Sequence, residues 1–184
     1  MLGKGLRPAA PCALCTAKYT ARVLSLVALL TPALALPLLL WLAPGAWALP
    51  DPASPSSWPA SFWVMALAGT TATLAGLLDW RFHRNGGRRI AAAERRAELI
   101  ALALGLPLFV LLALTSGPVP LRTLLVPIVA VALAMTALIV FDEVRFHRAC
   151  GRYETLLHRF LVGGNGIAFL AWLAWCAGRE VGHG

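Results

Sequence analysis

Apolar runs long enough to cross a bilayer recur along this chain, and no other feature restricts its fold as much. They cover residues 23–42, 61–79, 97–114, 121–141 and 160–177. At a rise of about 1.5 Å per residue, a helix of about 20 residues spans the roughly 30 Å hydrocarbon core. Lipid offers no hydrogen-bond partners, so a spanning segment must satisfy its own backbone, and a helix does so. Hydrophobic residues make up 59% of the chain and charged residues only 13%, about half the soluble norm. No stretch is polar enough for a separate soluble domain. The sequence predicts an all-α, polytopic helical membrane protein with five transmembrane helices, residues 1–184 forming a single domain.

Charge sets the orientation. Fourteen of the sixteen Lys and Arg lie in segments 1–22, 81–96 and 142–159, and only Arg122 and Arg179 lie elsewhere. Such asymmetry marks the cytoplasmic side. It predicts a protein of the bacterial inner (plasma) membrane with a cytoplasmic N-terminus and an external C-terminus. Trp41, Trp47, Trp58 and Trp63, with Trp172 and Trp175, then form one outer aromatic belt. The net charge of +8 is a topology signal rather than a nucleic-acid footprint. Its exposed side is expected to meet anionic lipid headgroups through Arg81, Arg84, Arg88, Arg145, Arg148 and Arg152. Residues 1–48 carry one alternative. A basic start, an apolar run and Ala46-Trp47-Ala48 also fit a cleavable signal peptide. Both parts are long for that role, which favours a retained helix.

An internal repeat organises the rest. Arg81-Phe82-His83-Arg84 recurs as Arg145-Phe146-His147-Arg148, an offset of 64 residues that also superimposes Gly87 on Gly151 and Arg95 on Arg159. Each copy lies between two apolar runs. This predicts two repeated helical hairpins, spans 2–3 and 4–5, beside an N-terminal helix. Asn85-Gly86-Gly87 and Cys150-Gly151 are the expected reversals, because Gly and Asn accept the left-handed cap that ends a helix. The spans then extend over 23–42, 61–79, 97–114, 121–149 and 152–177, with a frayed tail.

The second reversal carries the chemistry. On a helix at about 100° per residue, Glu143, His147, Cys150, Glu154 and His158 fall within roughly 80° of one another. Arg145, Arg148, Arg152 and Arg159 fall on the opposite side. Folded about Gly151, His147 stands level with Glu154, and Glu143 with His158. The first hairpin offers Asp79 and His83 on its rising arm, and Glu94 and Glu98 on its returning arm. Ile90 replaces the equivalent of Glu154. Carboxylate and imidazole groups near a membrane are costly unless paired or ligated. Asp79, His83, Glu94, Glu143, His147, Glu154 and His158 are therefore candidate metal ligands, with Cys150 at the margin. Such a set suits zinc, iron or manganese. The spacing is E-x3-H, unlike the E-x2-H of di-metal carboxylate bundles.

These residues suggest a metal-dependent membrane enzyme acting on a lipid-soluble substrate, with Glu143 or Glu154 as base. One alternative is a structural or assembly subunit whose polar turns pair with arginines and bind a protein partner, a second copy in a homo-oligomer, or anionic lipid. Another is a haem-binding electron-transfer subunit, with haem b held by His83 and His147. Cys12 and Cys15 form a single C-x2-C that no second pair completes. Gly163-Gly164-Asn165-Gly166 reads as a close helix contact. No P-loop, G-x-S-x-G, H-E-x-x-H or dinucleotide fingerprint is present.

The charge asymmetry makes a direct prediction. Reporters fused after residue 50 or residue 118 report from outside, and reporters near Gly86 or Gly151 from the cytoplasm. An external signal at Gly86 would move the whole Glu/His cluster to the other face of the membrane.

Overall fold

The computed structural model describes residues 51, 53–85, 90–117 and 119–182, together with Val27 and Leu30. Most of the first apolar run, the possible signal peptide, the Cys12/Cys15 pair, Arg88 and the Gly86-Gly87 turn lie outside these residues. Among the described residues there are four long helices and no strand. They are α1 (Ala60–Arg84), α2 (Ala92–Ser116), α3 (Leu121–Phe146) and α4 (Arg152–Gly182). Each is long and apolar enough to cross a membrane, which marks an integral membrane protein. Val126, Leu133, Leu67 and Leu170 stay well exposed, as expected where lipid rather than water surrounds the bundle.

The helix ends follow local chemistry. Pro59 and Pro120 stand just before α1 and α3 in extended conformation, with φ already fixed near the helical value. At the basic end, Arg81, His83 and Arg84 close α1, and Arg145 closes α3. Glu94 and Glu154 open α2 and α4. Bases at helix C-termini and acids at N-termini both complement the helix dipole. Antiparallel packing brings these opposite charges to one level.

Two expectations need correction. Gly151 is not in a left-handed conformation, and Asn85 has φ −89°. Between α3 and α4 the chain tightens into a 3-10 helix at His147–Ala149, then extends through Cys150 at ψ 154°. The reversal lies where the sequence put it, but three-residue winding makes it rather than a glycine cap. The tail is not frayed through residue 182, because α4 continues to Gly182.

The closest helix pairs are α1 with α4, and α2 with α3. The hairpins joined by the basic turns are not the tightly packed pairs. Small residues account for the α1–α4 seam. A Cβ placed on Gly164 would meet the Ala68 carbonyl oxygen at 2.8 Å and the Ala72 Cβ at 3.0 Å. The backbones approach there as closely as a missing side chain allows. Asn165 points away and satisfies its amide on the Leu161 carbonyl at 2.9 Å, so it serves its own helix.

The end opposite the polar turns is locked separately. Trp172 Nε1 donates to Ser116 Oγ at 2.7 Å, and Arg179 donates to the Ser116 carbonyl at 2.6 Å. Cys176 Sγ lies 3.5 Å from Thr115 Oγ1. Phe62 packs edge-on against Trp175. These contacts tie α1 and α2 to α4 at the aromatic belt and hold the register of the opposite, polar end.

The seam yields the second prediction. Gly164→Ala forces a methyl group against backbone that cannot move alone, so stability falls by about 1–3 kcal/mol. Gly163→Ala and Gly166→Ala meet nothing within 4 Å and leave thermal unfolding in detergent close to wild type.

Candidate metal centre

Six of the eight Asp and Glu residues, and three of the four His, sit at the basic end of the four helices. The helices contribute them in a consistent pattern. From α1, Asp79 and His83 are one turn apart, with Asp79 Oδ1 3.6 Å from His83 Nε2. From α4, Glu154 brings Oε1 to 3.4 Å from the same nitrogen. From α3, Glu143 Oε2 lies 3.3 Å from His158 Nε2 on α4. Asp142 Oδ2 lies 3.1 Å from Nδ1 of His147, in the 3-10 helix. The His147 and His158 rings stack with centroids 4.2 Å apart. A continuous carboxylate–imidazole network thus joins α1, α3, the reversal and α4.

Burial is deep. Glu94, Asp142, His147 and Glu154 are 0%, 5%, 7% and 2% exposed. The arginines lie outside: Arg81, Arg84, Arg145, Arg148 and Arg152 are all exposed. Arg84 stacks on Trp80 and Arg145 on Phe146.

Within the network, Asp142, His147 and His158 bring one ligand atom each within 4.8 Å of one another, and so do His147, Cys150 and Glu154. The contact distances are informative. Charge-assisted N–H···O bonds run about 2.7–2.9 Å. The 3.1, 3.3, 3.4 and 3.6 Å contacts found here are longer. Two ligands on one ion at bonds of about 2.1 Å lie about 3.0 Å apart at a right angle and about 3.4 Å apart at the tetrahedral angle. Of the four contacts only Asp142–His147 lies inside a three-ligand group, and its 3.1 Å fits a shared ion as well as a hydrogen bond. In addition, Asp142 Oδ1 and His158 Nε2 are buried without a hydrogen-bond partner. For His158 the neighbouring Glu143 oxygen is near but poorly aligned for a hydrogen bond. Buried polar atoms are rarely left this way.

The placement of the other candidates is uneven. Glu94 caps α2, accepting the Ala91 N–H at 3.2 Å, and its charge acts on His147 from there. Asp79 and His83 join through Glu154 rather than through either three-ligand group. Asp142 was absent from the sequence-derived ligand set, although its burial next to Glu143 is central. Glu98 faces the same groups, within electrostatic reach of Asp142, Glu94, Asp79 and His147.

No protein-family model, curated protein or solved structure matches the chain. The site's own geometry must carry the functional reading.

Asp142 also controls the charge of His147. By accepting a hydrogen bond from the imidazole, it pushes the His147 pKa up from 6.5 to about 9, against the opposing effect of burial. A raised imidazole pKa stabilises the fold fully below the unfolded value and loses that contribution as pH climbs through the folded one. In metal-free protein, thermal stability should fall as pH rises from 6.5 to about 9. His147→Gln should flatten that slope. Metal uptake should rise over the same window, because a ligating imidazole must first lose its proton.

Proposed function

We propose that this is a metal-dependent protein of the bacterial inner membrane, acting on a lipid-soluble substrate, with its centre at the cytoplasmic ends of the helices. Asp142, His147 and His158 are the primary ligands in this reading. The observation that supports it most is their convergence within 4.8 Å, together with two buried atoms that make no hydrogen bond, Asp142 Oδ1 and His158 Nε2. Two imidazoles and one carboxylate suit zinc, iron or manganese and leave coordination positions open to water or substrate. Glu143, 3.3 Å from His158, would serve as the base beside a metal held there. Asp79, His83 and Glu154 hold the adjoining network.

The proposal includes the wider architecture read from the sequence. It is a single domain of five spans, with cytoplasmic N-terminus and external C-terminus, grown from two repeated hairpins. The haem alternative has less support. The His83 nitrogen that iron would require faces both Asp79 and Glu154. The structural alternative pairs the acids with arginines, but buried Asp142 lies against His147 at 3.1 Å while the arginines flanking the reversal are exposed.

Elemental analysis of purified protein, with an absorption spectrum, tests the reading. Wild type should carry near-stoichiometric zinc, iron or manganese and no haem band. His147→Ala, His158→Ala and Asp142→Asn should each lose most of it, while Arg148→Ala keeps it. A stable, folded wild-type protein without metal would end the proposal and leave the polar turn a structural or partner-binding element.

A further inference from the structure

One opening leads from the lipid-facing surface to the polar network. Between α3 and α4 lies a groove of about 300 Å³ with aliphatic walls of Ile139, Val140, Val144 and Val162. That volume is at the lower end for ligand pockets. Glu143 and His158 line the same space, as do Arg159 and Gly163. α3 and α4 are consecutive, yet each packs mainly on another helix, and the groove is the gap this leaves. Its mouth opens on the outer side of two spans, where Val140 and Val144 are exposed, a surface that lipid covers in a membrane.

The polarity is graded along the groove. Arg159 is exposed at its rim. Gly163 follows one turn further along α4, about 6 Å deeper at 1.5 Å per residue. A Cβ on Gly163 would meet nothing within 4 Å, so its missing side chain keeps the deep part open. Glu143 lies against His158 at 3.3 Å on the groove wall, with its side chain 44% exposed. A cation above an aliphatic slot is complementary to an amphiphile with an acidic head and a hydrocarbon tail.

We infer that the groove between α3 and α4 is a lateral binding site for an anionic phospholipid, its phosphate on Arg159 and one acyl chain running past His158 towards Gly163. The bonds next to the headgroup then lie beside Glu143 and His158. As a statement about substrate class this rests on the proposed metal centre, while the lipid site itself stands on the groove.

The test is photocrosslinking in vesicles of phosphatidylcholine doped with a phosphatidylglycerol that carries a diazirine on its acyl chain. Labelled peptides are mapped by mass spectrometry, and metal content is measured on the same samples. Labelling should concentrate on residues 139–144 and 158–163. Gly163→Leu should abolish it while leaving metal content and thermal stability at wild-type levels. Arg159→Gln should remove the preference over an equivalent phosphatidylcholine probe. Labelling spread evenly over the exposed faces of α3 and unaffected by Gly163→Leu would overturn the inference, even if metal is bound. So would crosslinks between copies of the chain across this groove in place of lipid. Groove-specific labelling in a metal-free protein would keep the lipid site and remove its catalytic meaning.

Discussion

Buried carboxylates in a membrane bundle need compensating positive charge nearby, and most of this structure can be derived from that need. Asp142 and Glu154 are each 5% exposed or less. An ionised carboxylate without a partner in so apolar a setting costs several kcal/mol. Arginine would be the usual solution, but the arginines flanking the reversal are exposed. At Asp142 an imidazole, that of His147, takes the inner position instead. It is compact enough to fit between helices, and it can present either a proton or a lone pair. A histidine beside a buried carboxylate can therefore balance its charge with a proton.

Such a network has to be held rigidly, and the apolar part of the bundle does this from two directions. The Gly164 contact fixes α4 against α1 at backbone distance, so His83 and Glu154 meet without long side chains bridging a gap. The Ser116, Trp172 and Arg179 contacts at the far end prevent α4 from sliding along its axis. A slip of one residue would rotate Glu154 and His158 by about 100°, away from their partners. α3 is held less tightly, with only Leu121, Ile128 and Asp142 buried. This loosely packed helix forms one wall of the groove, and α4 forms the other.

How far the sequence revealed this arrangement depends on which force was at work. The four described spans were legible because length and hydropathy alone decide membrane insertion. The place of the last reversal was legible from Cys150-Gly151. Helix pairing was not. Lipid and protein interior are equally apolar, so no amphipathic stripe marks which face meets which helix. Only the glycines near 164 hinted at a close contact. Among the site residues, Glu143, His147, Glu154 and His158 could be grouped by helical spacing, whereas Glu94 turned out to cap its own helix. Asp142 was missed because the wheel assumed an unbroken helix.

That miss explains how the site is built. On a continuous α-helix, residues five apart lie about 140° from each other, so Asp142 and His147 would face different neighbours. Phe146 leaves regular winding at φ −120°, which carries His147 back over the end of α3, and Nδ1 comes to 3.1 Å from Asp142 Oδ2. The 3-10 turn that follows starts the chain on its return, so that His158 on α4 stacks against the His147 ring. One local departure from helical winding therefore closes the three-residue group and turns the chain. The aliphatic groove lies beside His158, on the α4 arm of the same reversal. A change that restored regular winding through His147 would pull its ring away from both Asp142 and His158.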